Sequence, residues 1–141
     1  MLVAKLNLET AQKCIAAAEQ KAKDLGVQMV ISIVDEGGNL IATHRMDDAW
    51  IASLDVAPNK AWTSVALKMP TAALASETVP NASLYGLNTT NDGRIVVFGG
   101  GIPFEREGKV IGAVGVSGSS VDHDIQVAEA AAAAFRELAF A

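Results

Sequence analysis

The chain has 141 residues, half of them hydrophobic, with a formal net charge of −5 and a pI near 4.9. That length and apolar content suit one domain over residues 1–141 with a packed core, and they exclude an intrinsically disordered chain. The acidic balance has no basic face, which argues against nucleic acid as a partner.

Apolar or small residues recur at Leu8, Ala11, Ile15, Ala18, Ala22 and Leu25. Steps of three and four predict a helix over 8–25, with Asn7 as N-cap and Gly26 at the C′ position. Val27 to Val34 reads as a strand, Asp35 to Asn39 as a turn, and Leu40 to Arg45 as the returning strand of a hairpin. Asp55 is placed to cap a helix with Pro58 in its first turn, ending near Lys68 because Pro70 follows. Thr71 begins a further short helix to about Ser76, and 79–92 reads as a loop.

Ile95–Phe98 and Ile102–Arg106 are predicted as short strands, and Lys109–Val116 as the last strand after a Glu107-Gly108 turn. Val121, Ile125, Ala128, Ala132, Phe135 and Leu138 mark a long final helix, capped by Ser119 or Ser120. The expected fold is α+β: an antiparallel five-stranded sheet flanked by helices, in the order α-β-β-α-α-β-β-β-α.

Seven of the twelve glycines fall between Ile95 and Ser120. Glycine weakens a strand, and there it often marks a close approach of other backbone or of a ligand. Gly99, Gly100 and Gly101, followed by Pro103, are therefore the expected ligand wall, with Tyr85 of the 79–92 loop as its cover. Lys60 and Arg45 are candidates for holding a ligand carboxylate, although single cations are more often plain surface charge.

His44 and His123 are the only histidines, and so the candidate metal or haem ligands. No second histidine lies at ligand spacing from His44, so a partly exposed strand-end residue is the plainer reading. Asp122 and Asp124 beside His123 are explained by the positive end of the helix dipole. Asp35 and Asp47 fit turn positions and could also serve as acids or bases. The turn Ser117–Ser120 before the last helix suits capping and anion binding equally. The glycine triplet does not open a helix, so it is no nucleotide loop.

Cys14 is the single cysteine, permits no intrachain disulfide, and reads as a small buried hydrophobe. No signal peptide and no membrane-length apolar run are read, so a cytoplasmic protein without membrane contact is expected.

Three segments together carry a family resemblance. They are Val34-Asp35-Glu36-Gly37-Gly38-Asn39-Leu40 with Arg45-Met46-Asp47-Asp48-Ala49, then Asn59-Lys60-Ala61-Trp62-Thr63, then Phe98-Gly99-Gly100-Gly101-Ile102-Pro103 with Gly112 to Gly118. In this order and spacing the chain resembles the GlcG/HbpS-like proteins. That group includes the C-terminal domain of PduO-type corrinoid adenosyltransferases and single-domain OrfY/DhaG-type members. The resemblance implies a profilin- or PAS-like sheet of five strands, homo-oligomers from dimer to octamer, and haem binding in some relatives. It also implies corrinoid metabolism in others. The adenosyltransferase catalytic domain has no counterpart here.

The expected function is binding of a small molecule, haem or cobalamin, accessory to a cofactor-dependent pathway such as glycerol or diol utilisation. The alternative is an isomerase or lyase acting on a hydroxy acid or aldehyde. Gly99–Gly101 would then form an oxyanion site, with Asp35, Asp47 or His44 as base. A third reading is an assembly subunit packed through its alanine-rich helices.

Overall fold

The computed structural model describes residues 5–138. Helix α1 (Leu8–Leu25) starts where the Asn7 side chain accepts the Thr10 N–H and stops at Gly26, whose φ of 71° is the left-handed cap. Strands β1 (Val30–Asp35) and β2 (Leu40–Arg45) form the expected hairpin. The Asp35 carboxylate fixes its turn by accepting the N–H groups of Gly37 and Asn39, both at 2.9 Å.

Helix α2 (Ser53–Leu67) begins earlier than its sequence suggests. Ala52 is the N-cap and makes no side-chain cap bond, while Asp55 lies in the first turn and accepts from Asn59. Pro58 therefore sits one turn deeper than expected. The Thr71 segment is a 3-10 turn over Thr71–Leu74 and not a helix to Ser76. The 79–92 loop contains two further 3-10 turns, Leu87–Thr89 and Asn91–Gly93. Strands β3 (Gly101–Arg106) and β4 (Lys109–Ser117) follow. Helix α3 (Val121–Glu137) is capped by Ser120, whose hydroxyl accepts the His123 N–H.

The sheet has four strands, in the order β2-β1-β4-β3, all antiparallel. The five-stranded expectation is thus corrected. Ile95–Phe98 has the composition of a strand but joins no ladder among the described residues. Its Val96 N–H is taken by the Thr63 hydroxyl of α2 at 3.1 Å, and that hydroxyl also lies 3.2 Å from Arg94 O. A helix side chain has captured the segment that composition assigned to the sheet.

Helices α1 and α3 cover one face of the sheet and α2 covers the other. Along β1 and β4, Ile31, Ile33, Val114 and Val116 turn toward α1 and α3, meeting Ile15, Val127 and Phe135. Phe104 and Phe135 stack there at 4.5 Å. Val30, Val34 and Ala113 turn toward Ala57 and Ala61 of α2. Each fully buried Val or Ile contributes about 1.5–3 kcal/mol by leaving water.

Candidate functional site

Gly101 and Gly115 are directly opposite each other in the β3–β4 register. A Cβ on Gly101 would collide with the Lys60 carbonyl and the Ser64 hydroxyl, and one on Gly115 with Ala57 O and Ala61 N. The glycines let α2 lie with its backbone against the sheet. A Cβ on Gly99 would strike Ile125, and one on Gly100 the Lys60 ammonium. The ribbon is therefore filled by the protein itself on its Cβ side. What remains open is the outer edge of β3, where Gly100 and Gly101 line a groove of about 310 Å³ against α3. Pro103 lines the adjoining hollow of about 370 Å³.

Lys60 is not surface charge. It is 0% exposed, and its Nζ donates to Asp124 Oδ2 and to Val116 O, each at 2.8 Å. The Phe98 ring lies 5.0 Å from the same ammonium. Asp124 also accepts the Ser119 N–H at 3.2 Å. Burial lowers the Lys60 pKa and raises that of Asp124, and their mutual hydrogen bond and attraction oppose both shifts. Lys60 thus spends its charge inside the fold, and Asp124 does more than complement a helix dipole.

His44 and Arg45 lie on β2, at the opposite sheet edge from β3. Three strand spacings, about 14 Å, separate the two edges. No single site within one chain unites His44 and Arg45 with the glycine ribbon. The His44 Nδ1 sits 2.6 Å from Glu19 Oε1 of α1, and the imidazole is half exposed. Arg45 reaches back to the Ala49 carbonyl with Nε at 3.0 Å and Nη2 at 2.7 Å. Beside this pair is a hollow of about 500 Å³ lined by Glu19, Lys23, Arg45, Asp47 and Asp48.

His123 places its Nδ1 3.0 Å from the Ser119 hydroxyl, within the capping loop of α3. Tyr85 stands 67% exposed on its loop. Asp35 serves its turn at the far end of β2 from His44. The acid–base candidates Asp35, Asp47 and His44 and the proposed oxyanion glycines therefore do not converge. Among the described residues no group of three or more His, Cys, Asp or Glu side chains could hold a metal ion by itself. None of the described helices is long and apolar enough to cross a membrane.

Sequence reasoning missed Glu19, Glu129 and Arg136. Glu19 is 25 residues from His44 in the chain, and no local spacing links them. Glu129 and Arg136 look like solvated helix surface until β3 is laid beside α3.

Residues 6–133 match the family described as "Haem degrading protein HbpS-like". An uncharacterized 15.0 kDa protein from the dhaT-dhaS intergenic region of Citrobacter freundii is 48% identical over 136 residues, covering 96% of each chain. The crystal structure of the Klebsiella pneumoniae protein ORFY superposes with a TM-score of 0.95 at 44% identity, covering 99% of this chain and 96% of that one. A crystal structure of a PduOC:heme complex superposes with a TM-score of 0.89 at 42% identity, covering 92% of this chain and 94% of that one.

Proposed function

Because the chain belongs to the HbpS-like family, we propose that it binds haem, with His44 as the iron ligand. The observation that carries this reading is the His44–Glu19 contact of 2.6 Å. A metal-ligating histidine usually gives its second ring N–H to a carboxylate, which fixes the tautomer and raises ligand basicity. With Nδ1 donating to Glu19, the free lone pair lies on Nε2 of a half-exposed ring. Lys23 and Arg45 line the hollow that Glu19 shares, among Asp47 and Asp48, and are the cations there for propionate groups. The haem bound by the PduOC relative supports the choice of ligand. Haem would supply an iron with an open coordination position, and this chain's residues would hold and orient it.

In this reading the protein is a cytoplasmic haem carrier or sensor, accessory to a cofactor-dependent pathway such as glycerol or diol utilisation. The relative encoded between dhaT and dhaS supports that setting. Homo-oligomers suit the reading, since β2 is an open sheet edge and Leu40 on it is 53% exposed. No observation favours cobalamin over haem, so cobalamin enters as the competitor in the test.

Absorbance titration decides the matter. Haem added to micromolar protein should give a saturable, shifted Soret band that His44→Ala abolishes and His123→Ala preserves. An unshifted Soret band, or a His44→Ala titration that overlays wild type, would remove the proposal.

A further inference from the structure

We propose that the groove between β3 and α3 binds small organic amines, holding the protonated nitrogen with main-chain carbonyls and Glu129. This site lies on the opposite sheet edge from His44 and does not depend on the haem reading.

Strand geometry supplies the first observation. Val116 N–H donates to Gly100 O at 2.9 Å, which makes Gly100 and Val116 a hydrogen-bonded pair. Alternation then turns the main chain of Ile102 toward β4 and that of Gly101 and Pro103 outward. The Gly101 N–H is already given to Thr71 Oγ1 at 2.9 Å. Pro103 has no N–H at all. Over these residues the open edge presents carbonyl acceptors and no free donor. Such an edge cannot template another strand, which needs donors and acceptors in turn.

Shape and charge supply the second. The hollows of about 310 and 370 Å³ share Pro70, Ile102, Ala132 and Arg136, so they form one continuous groove. Its size and mostly apolar walls are those of a small-molecule site. Glu129 adds a carboxylate to the lobe that holds Gly101. Beside Gly101 an ammonium would meet carbonyl acceptors and the Glu129 carboxylate, whereas a carboxylate would find a cation only in Arg136. Arg136 is the single cation among the lining residues, seven positions from Glu129 and about 10 Å along the helix axis. It lines both lobes, and Glu105 adds a second carboxylate to the lobe that holds Pro103, so among the lining residues Arg136 alone offers a partner to a ligand carboxylate. The chemistry fits a primary amine on an apolar body, with a distal carboxylate tolerated.

The test uses hexylamine, 6-aminohexanoate and hexanoate against isotope-labelled full-length protein, read by amide chemical shifts. The two amines should perturb Gly100, Gly101, Ile102 and Ala132 in a saturable way. Hexanoate should bind at least about tenfold more weakly, and Glu129→Gln should weaken hexylamine by about tenfold. Glu129 is exposed, so the variant's spectrum reports its own folding. Haem titration of Glu129→Gln should match wild type, which separates the two sites. Equal binding of hexanoate, shifts scattered away from the groove, or a Glu129→Gln variant with unchanged amine affinity would each overturn the proposal. A loss of haem binding in that variant would overturn the independence of the sites.

Discussion

Lys60 of α2 and Asp124 of α3 meet at 2.8 Å, joining the helices that cover opposite faces of the sheet. The ammonium reaches Asp124 past Gly100, where a Cβ would fall 2.6 Å from Nζ. The triplet of glycines is in part the passage for this side chain. Two buried charges cost several kcal/mol each in lost hydration, and only their close geometry offsets that.

Breaking the pair should therefore hurt more than deleting it. Lys60→Met leaves a buried carboxylate and should cost about 3–5 kcal/mol in urea unfolding. Lys60→Met combined with Asp124→Asn removes both charges and keeps an acceptor for the Ser119 N–H. It should recover a substantial part of that loss. Strictly additive single and double variants would show that the contact is not coupled.

Gly115 and Gly108 should respond differently to alanine. At Gly115 the new methyl would run into α2 backbone, so Gly115→Ala should cost about 3 kcal/mol or more. Gly108 has open space but a φ of 77°, so Gly108→Ala should cost only about 1–2 kcal/mol. Thermal melts of the two variants give the comparison, and equal losses would contradict close helix–sheet packing as the reason for Gly115.

Cys14 is fully buried, and burial pushes its thiol from 9.0 up to about 11. The native pKa is raised, so this contribution to stability is complete below the unfolded value and fades as pH rises toward the native one. Between about pH 9 and 11 the wild type should lose about 2–3 kcal/mol relative to Cys14→Ala. Unfolding measured across that window checks the sign. Rapid labelling of the native thiol at neutral pH would contradict its burial.

Ser64 carries a buried hydroxyl with no hydrogen-bond partner among the described residues. An unpaired buried polar group is a cost, so Ser64→Ala should leave stability unchanged or raise it by up to about 1 kcal/mol. A destabilised variant in chemical denaturation would mean that the hydroxyl has a partner in solution.

Glu19→Gln keeps the shape of the His44 partner and removes its charge. Haem affinity should fall by about 10-fold or more while the fold is unaffected, because the carboxylate tunes the ligand and does not touch the iron. The reduction potential should rise as the imidazole becomes less basic. A potential equal to wild type would sever Glu19 from the proposed role.

Much of the architecture was already written in local sequence. Helix α1 follows from its apolar stripe, Asn7 and Gly26, and the first hairpin from Asp35 and its turn. The family was legible from the order of three segments, and residues 6–133 bear it out. Such features depend on neighbours within a few positions, where capping and periodicity act.

Tertiary structure decided the rest. Ile95–Phe98 has strand composition, yet the Thr63 hydroxyl holds it against α2 and the sheet stays at four strands. The glycine ribbon reads as bare backbone along its whole length until α2 is seen seated on Gly101 and Gly115, which leaves the outer edge of β3 as its open side. Lys60 reads as surface charge until Asp124 arrives from 64 residues away. Glu19 finds His44 across 25 residues. Composition states what a residue can do, but which partner uses that capacity depends on contacts made only when distant elements pack and exclude water.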